Sequence, residues 1–239
     1  MRARARAASV LAALLVSCAS RAALADSGDT REEFWPEVGA YVRLSESSRI
    51  YLLGAYTSVK ENSYSEGQFG VHFDWFTGRP RFLPRLGTHA KTEDEAKRIL
   101  MLRVGYRYGT SLIDSSDPFE EHRALGEATL RARPIGLLVS NRIRADLRWV
   151  NEERSQRYRD RLKAEKVLRL GDYHPVLYGS AEIYYDTRYD EFNRYRLIAG
   201  AVLPLPLKSE VDIYAASQHD RQAETQHVLA LGTALSFYF

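Results

Sequence analysis

Every second residue of GQFGVHFDWF (67–76) is large and apolar: Phe69, Val71, Phe73 and Trp75 fall on one face, and Gln68, His72 and Asp74 on the other. That period of two belongs to a β-strand with unlike faces, and it leaves little room for a helix, whose apolar stripe returns every three or four residues. The same pattern recurs along the chain. RILMLRVGYRY (98–108) sets Leu100, Leu102, Val104, Tyr106 and Tyr108 against Met101, Arg103 and Arg107. In LLVSNRIRADLRW (137–149), Leu137, Val139, Ile143, Ala145, Leu147 and Trp149 oppose Ser140, Arg142, Arg144, Asp146 and Arg148. About eleven such runs begin near 34, 48, 66, 97, 121, 135, 155, 174, 192, 208 and 226, joined by turn-like stretches such as LSESS, NEER, GDYHP and LPLKS. EHRALGEATLRAR (121–133) has the Ala, Leu and Glu of a helix, but its neighbours on both sides are strands and it is read as one. The segment 79–97, with two prolines and a charged block, is either a long connection or a further, broken strand.

An alternating all-β chain can pack as a soluble sandwich or close as a barrel. Several runs are too long for a typical soluble strand of about 5–6 residues and match the roughly 9–11 residues of a membrane-spanning one. Their polar faces are dense in arginine, as a lumen can be, and Trp75, Trp149, Tyr185 and Phe239 stand near run ends, where interfacial girdles belong. Lipid offers no partner to an unpaired strand edge, so the sheet must close. The expected fold is an antiparallel up-and-down transmembrane β-barrel of about 10–12 strands over 34–239. Even parity, which puts both chain ends on one side of the membrane, favours twelve.

Both termini fit export to the outer membrane of a Gram-negative bacterium. MRARAR followed by AASVLAALLVSCA and Ala23-Leu24-Ala25 has the three parts of a secretory signal, cleaved after Ala25 (domain 1–25), with 26–33 a short N-terminal segment. Leu15-Val16-Ser17-Cys18 also fits a lipobox, with Cys18 as the alternative lipidated residue; Cys18 is the only cysteine, so no internal disulfide can form. Of 34 basic residues, Arg2, Arg4, Arg6 and Arg21 lie in the leader, leaving 30 against 31 acids, which removes the main ground for a nucleic-acid partner. The last eleven residues, LALGTALSFYF, place Leu231, Thr233, Leu235, Phe237 and Phe239 on one face. They resemble the C-terminal signal of outer-membrane barrels, which implies the barrel assembly machinery and membrane lipid as partners.

The combination of EFWPEVGAYVRL (33–44), RYRDRLKAE (157–165), YGSAEIYYD (178–186) and FNRYRLIAG (192–200) is similar to the exported bacterial family known as domain of unknown function 2490. The resemblance covers most of 34–239 and implies a barrel. It implies no activity and no catalytic residues.

Function is therefore sought in the inward charges. Arg142, Arg144, Asp146, Arg148, Arg157, Arg159, Arg161, Lys163, Glu182, Arg194 and Arg196 are expected to line the lumen. A turn at 151–153 sets Asp146 opposite Arg157, Arg144 opposite Arg159 and Arg142 opposite Arg161; a turn near 172 puts Glu182 beside Arg161 or Lys163, and one near 189 puts it opposite Arg196. Like charges so paired need an acid or a ligand between them. The implied wall is a positive stripe facing an acidic one. Three readings follow: a narrow anion-preferring pore for small solutes, since rings of Arg and Lys favour anions; a barrel enzyme acting on lipid or lipopolysaccharide; and a structural or surface-recognition barrel. The enzyme reading rests on His72 and Asp74, two residues apart on one face, as base and orienting carboxylate, with Ser63 and Ser65 nearby and His219-Asp220 as a second pair in an outer loop. No P-loop, dinucleotide fingerprint, HExxH or helical His pair occurs, so neither a cofactor nor a metal is expected.

Overall fold

The computed structural model describes residues 30–60, 64–77, 100–112, 118–132, 136–223 and 225–239. The leader with its Ala25 and Cys18 sites, Ser63 and the segment 79–97 lie outside the described residues.

Eleven strands form one closed barrel: β1 (Thr30–Arg43), β2 (Ser48–Val59), β3 (Ser65–Phe76), β4 (Leu100–Ser111), β5 (Glu120–Ala132), β6 (Leu138–Val150), β7 (Glu153–Val167), β8 (Val176–Asp186), β9 (Glu191–Leu205), β10 (Ser209–Asp220) and β11 (His227–Tyr238). Ten of these starts fall within three residues of the expected ones, and β1 starts four residues early, inside the 26–33 segment. The ambiguous 121–133 run is strand β5.

The parity argument for twelve does not hold. Sequence neighbours pair antiparallel, but β1 and β11 run parallel along the whole seam, from Thr30 beside His227 to Tyr41 beside Tyr238. A parallel seam closes an odd number of strands, so Thr30 and Phe239 lie at opposite rims. β3 and β4 pair directly along eleven positions, leaving no place between them in the wall for another strand.

Turn chemistry sets the register that matters most. Asn151 and Glu152 both have positive φ, 47° and 73°, between the paired residues Val150 and Glu153. A two-residue turn with φ > 0 at both positions matches the right-handed twist of a hairpin, and asparagine accepts that conformation readily. The turn thereby fixes every pairing between β6 and β7.

The barrel is inverted relative to a water-soluble one. Phe69, Val104, Ile143, Leu162 and Leu197 face outward, each more than half exposed, while Asp74, Asp146 and Arg144 are buried inside. Outward rings crowd the rim where β1 starts. Tyr108 packs on His122 with centroids 5.2 Å apart, Tyr185 on Phe192 at 5.4 Å, and Tyr195 on His219 at 5.0 Å. Trp75 and Phe239 stand at the other rim, also outward and exposed.

Candidate functional site

Among the described residues the strands enclose a lumen, and the β6–β7 hairpin supplies seven of its cations. Arg144 lies opposite Arg159, Arg142 opposite Arg161 and Asp146 opposite Arg157, the register expected from the turn. The acids between them decide whether such pairs are tolerable. Asp146 accepts from Arg144 Nε at 2.6 Å and lies 2.7 Å from Arg159 Nη2. Glu182 pairs in register with Arg161 and Arg196, yet its carboxylate reaches past β7 to Arg142 Nη2 at 2.6 Å and accepts from Tyr184 Oη at 2.7 Å. Glu127 of β5 stands 3.6 Å from Arg142 on the other side. Acids are thus interleaved with the arginines, in place of the positive stripe facing an acidic one that the alternation implied.

Toward the rim of Thr30 the lumen is filled. Glu121 accepts from Arg123 Nη2 at 2.6 Å and from Arg148, and Asp186 accepts from Arg157 Nη2 at 2.7 Å and Arg148 Nη1 at 3.2 Å. Arg194 closes on Asp220, and Arg196 donates to Gln218 while its guanidinium lies 4.6 Å from the Trp35 ring centre. Glu121, Arg123, Arg148, Arg157, Asp186 and Asp220 are all buried. Charges this far from water persist only when paired, and here each carboxylate has its guanidinium.

Toward the rim of Phe239 the lumen holds a cavity of about 320 Å³. Ten arginine and lysine side chains line it against five carboxylates, Glu37, Glu127, Glu165, Glu182 and Asp212. Several cations are matched: Lys163 lies 2.8 Å from Glu165 and 3.8 Å from the Tyr178 ring centre, and Arg49 and Arg103 share Asp74. Three have no carboxylate among the described residues: Arg107 donates only to His72 Nε2, at 3.3 Å, Arg196 donates to the neutral Gln218, and Arg131 has no ion-pair partner. Nη2 of the buried Arg144 and Nε of Arg142 and Arg159 also lack acceptors. A second wall is aromatic: Tyr51, Tyr41 and Tyr238 stack with centroids 4.3 and 4.9 Å apart, and Tyr238 Oη donates to Glu210 at 2.6 Å.

The base-and-carboxylate arrangement expected of His72 and Asp74 does not form. Both point inward from β3, but Asp74 is consumed by Arg49 Nε at 2.6 Å and Arg103 at 2.5 and 2.9 Å. His72 sits on glycines instead: a Cβ at Gly105 would come within 2.8 Å of its ring, and one at Gly70 within 2.9 Å. Its Nδ1 has no partner, so nothing orients the imidazole as a base. Ser65 is buried at the start of β3. His219 and Asp220 end β10 instead of lying in a loop, and they part company. His219 turns outward against Tyr195 and His227, while Asp220 turns inward to Arg194.

Residues 32–228, most of the barrel, match the family described as Protein of unknown function (DUF2490). The chain belongs to the DUF2490 family. No curated protein matches it. Among solved structures, LpxR from Salmonella typhimurium is similar to it at 9% identity, covering 80% of this chain and 83% of that one with a TM-score of 0.46.

In this DUF2490 barrel the β6–β9 residues singled out from the alternation do converge: Arg142, Arg144, Arg159, Arg161, Lys163, Glu182 and Arg196 line the cavity, and Asp146, Arg148, Arg157 and Arg194 lie in or beside the filled half. Arg49, Arg103, Arg107, Arg131, Tyr41 and Tyr51 complete the cavity wall and were not singled out. The signal that finds them is the same alternation, since each occupies the inward parity of its strand. What alternation cannot rank is which inward cation ends without an acid.

Proposed function

We propose that this protein is an integral outer-membrane barrel that holds small anionic solutes in its lumen, at a cationic cavity open toward the rim of Phe239. The physics of the wall supports membrane residence. Exposed leucine, valine and phenylalanine around a full cylinder suit hydrocarbon and oppose water. The basic leader, the site after Ala25 and the outward Leu231, Thr233, Leu235, Phe237 and Phe239 are read as export and assembly signals on the same ground.

The observation that carries the anion reading is that Arg107, Arg131 and Arg196 line the cavity without a carboxylate partner among the described residues. Buried guanidinium groups without counter-charge are costly, and an anion entering the cavity completes them. The ion-pair layer around Asp186 makes the other half a constriction, so any current past it is small and anion-preferring.

Isothermal titration of the detergent-folded barrel with inorganic phosphate at low salt tests the site. Saturable binding that weakens as salt rises is expected; absence of saturable binding of phosphate and of sulfate overturns it. In planar bilayers under a salt gradient, a reversal potential on the cation side overturns the anion preference.

A further inference from the structure

The hydrogen-bond ladder between β1 and β2 lapses within its own length. Phe34 pairs with Ser58 and Glu37 with Ala55, but Trp35 and Pro36 have no partner on β2 between them. That register sets Pro36 opposite Tyr56, and proline has no N–H to give, so the Tyr56 carbonyl loses its donor. The lapse coincides with a groove of about 560 Å³ on the outside of the barrel, within the roughly 300–1,000 Å³ usual for ligand sites. Outward positions form it: Pro36 and Val38 of β1, Gly54 and Tyr56 of β2, and Gly67 and Phe69 of β3. Gly54 stands in register between Val38 and Phe69, and its missing side chain leaves the wall hollow there. Tyr108 bounds the groove on β4 and packs on His122 in the belt of rings at the rim of Thr30. The groove therefore reaches the level at which lipid chains join their headgroups.

We infer that this groove holds a lipid chain bearing a hydroxyl group near its headgroup end, with the hydroxyl donated to the Tyr56 carbonyl. The inference rests on the membrane reading of the outward face and not on the lumen. A backbone acceptor without a donor is costly in hydrocarbon, where no water supplies one. A plain chain fills the groove and leaves the carbonyl bare; a hydroxylated chain fills it and completes the carbonyl. A second copy of the barrel fits less well, because its strands offer apolar outward faces whose backbone donors are already used.

The test is competition between two neutral probes that differ by one hydroxyl, methyl 3-hydroxytetradecanoate and methyl tetradecanoate. Both are added in equal amounts to the detergent-folded barrel, and bound adducts are read by native mass spectrometry. Neither carries a charge for the lumen arginines. The hydroxylated ester is expected in about three- to tenfold excess, the worth of one hydrogen bond. Pro36→Ala returns the missing N–H and is expected to bring that ratio close to one. Gly54→Leu fills the groove and is expected to remove both adducts. No adduct at all, equal binding of the two esters by the unaltered barrel, a ratio that survives Pro36→Ala, or adducts that survive Gly54→Leu each overturns the inference. A dimer that Gly54→Leu disperses gives the groove to a second copy and overturns it as well. Retention of the heat-modifiable folded band establishes that each variant is a barrel, and Pro36→Ala, which adds a ladder bond, decides the matter if Gly54→Leu does not fold. The membrane reading stands or falls separately, on the cost of a charge at an outward position such as Ile143.

Discussion

Arg148 of β6 reaches past β7 to Asp186 of β8, Nη1 to Oδ2 at 3.2 Å, and Arg157 of the intervening strand bonds the same oxygen at 2.7 Å. One buried carboxylate thereby ties three adjacent strands together across the filled half of the lumen. Asp186→Ala leaves two buried guanidinium groups sharing what remains of the acid layer. Removing one partner of a buried pair costs about 3–5 kcal/mol. The expected result is a lower urea midpoint together with a larger single-channel conductance in planar bilayers, since the guanidinium groups are released to move. A destabilised variant with unchanged conductance would show that the layer is not the constriction.

Asp74 and His72 separate packing from pairing. Asp74→Ala strands Arg49 and Arg103, both buried, and is expected to cost several kcal/mol by the same argument. His72→Ala removes a ring that contacts glycine backbone and accepts one long hydrogen bond, so its loss is expected to be smaller, and Arg49 and Arg103 keep their acid. Denaturant midpoints rank the two. His72→Ala as the more damaging substitution would restore a central role for the imidazole.

Legibility from the sequence followed the range of the interactions concerned. Strand positions and the inward parity of Arg144 or Arg159 depend on near neighbours along the chain, and the β6–β7 register depends on one short turn, so all were readable. Direction at the seam is different. Nothing in the pattern of β1 or β11 says whether they meet parallel or antiparallel, and the even-number expectation failed there. The Arg142–Glu182 contact is also invisible in the register, because it skips β7 and depends on how far two long side chains bend. The same limit hid the unmatched Arg107 and Arg131, whose condition is set by every acid in the lumen.

Gly232 is held to its identity by Tyr214, whose ring lies over it inside the barrel: a Cβ there would stand 2.0 Å from Tyr214 Cζ. Such an overlap needs the ring, not a flexible tip, to move. Gly232→Ala is expected to lower the yield of folded barrel and to destabilise it by about 1–3 kcal/mol, the usual range for overpacking. Adding Tyr214→Ala should restore the yield. If the double variant folds no better than Gly232→Ala alone, the glycine is required for another reason.

Ile143 offers the sharpest check on which side of the wall is wet. It lies at the middle of β6, is 57% exposed and stands between the inward Arg142 and Arg144. On a protein in water, Ile143→Lys replaces an exposed apolar group with a charge and changes stability little. In hydrocarbon the same lysine near the midplane costs about 2–4 kcal/mol. The substitution is therefore expected to lower the stability of the barrel folded into lipid vesicles by that amount, while the control Lys60→Ala, at the exposed rim, leaves it nearly unaltered. Equal, small effects at both positions would mean that the outward face meets water, and the inverted wall would then need a protein partner rather than a membrane to cover it.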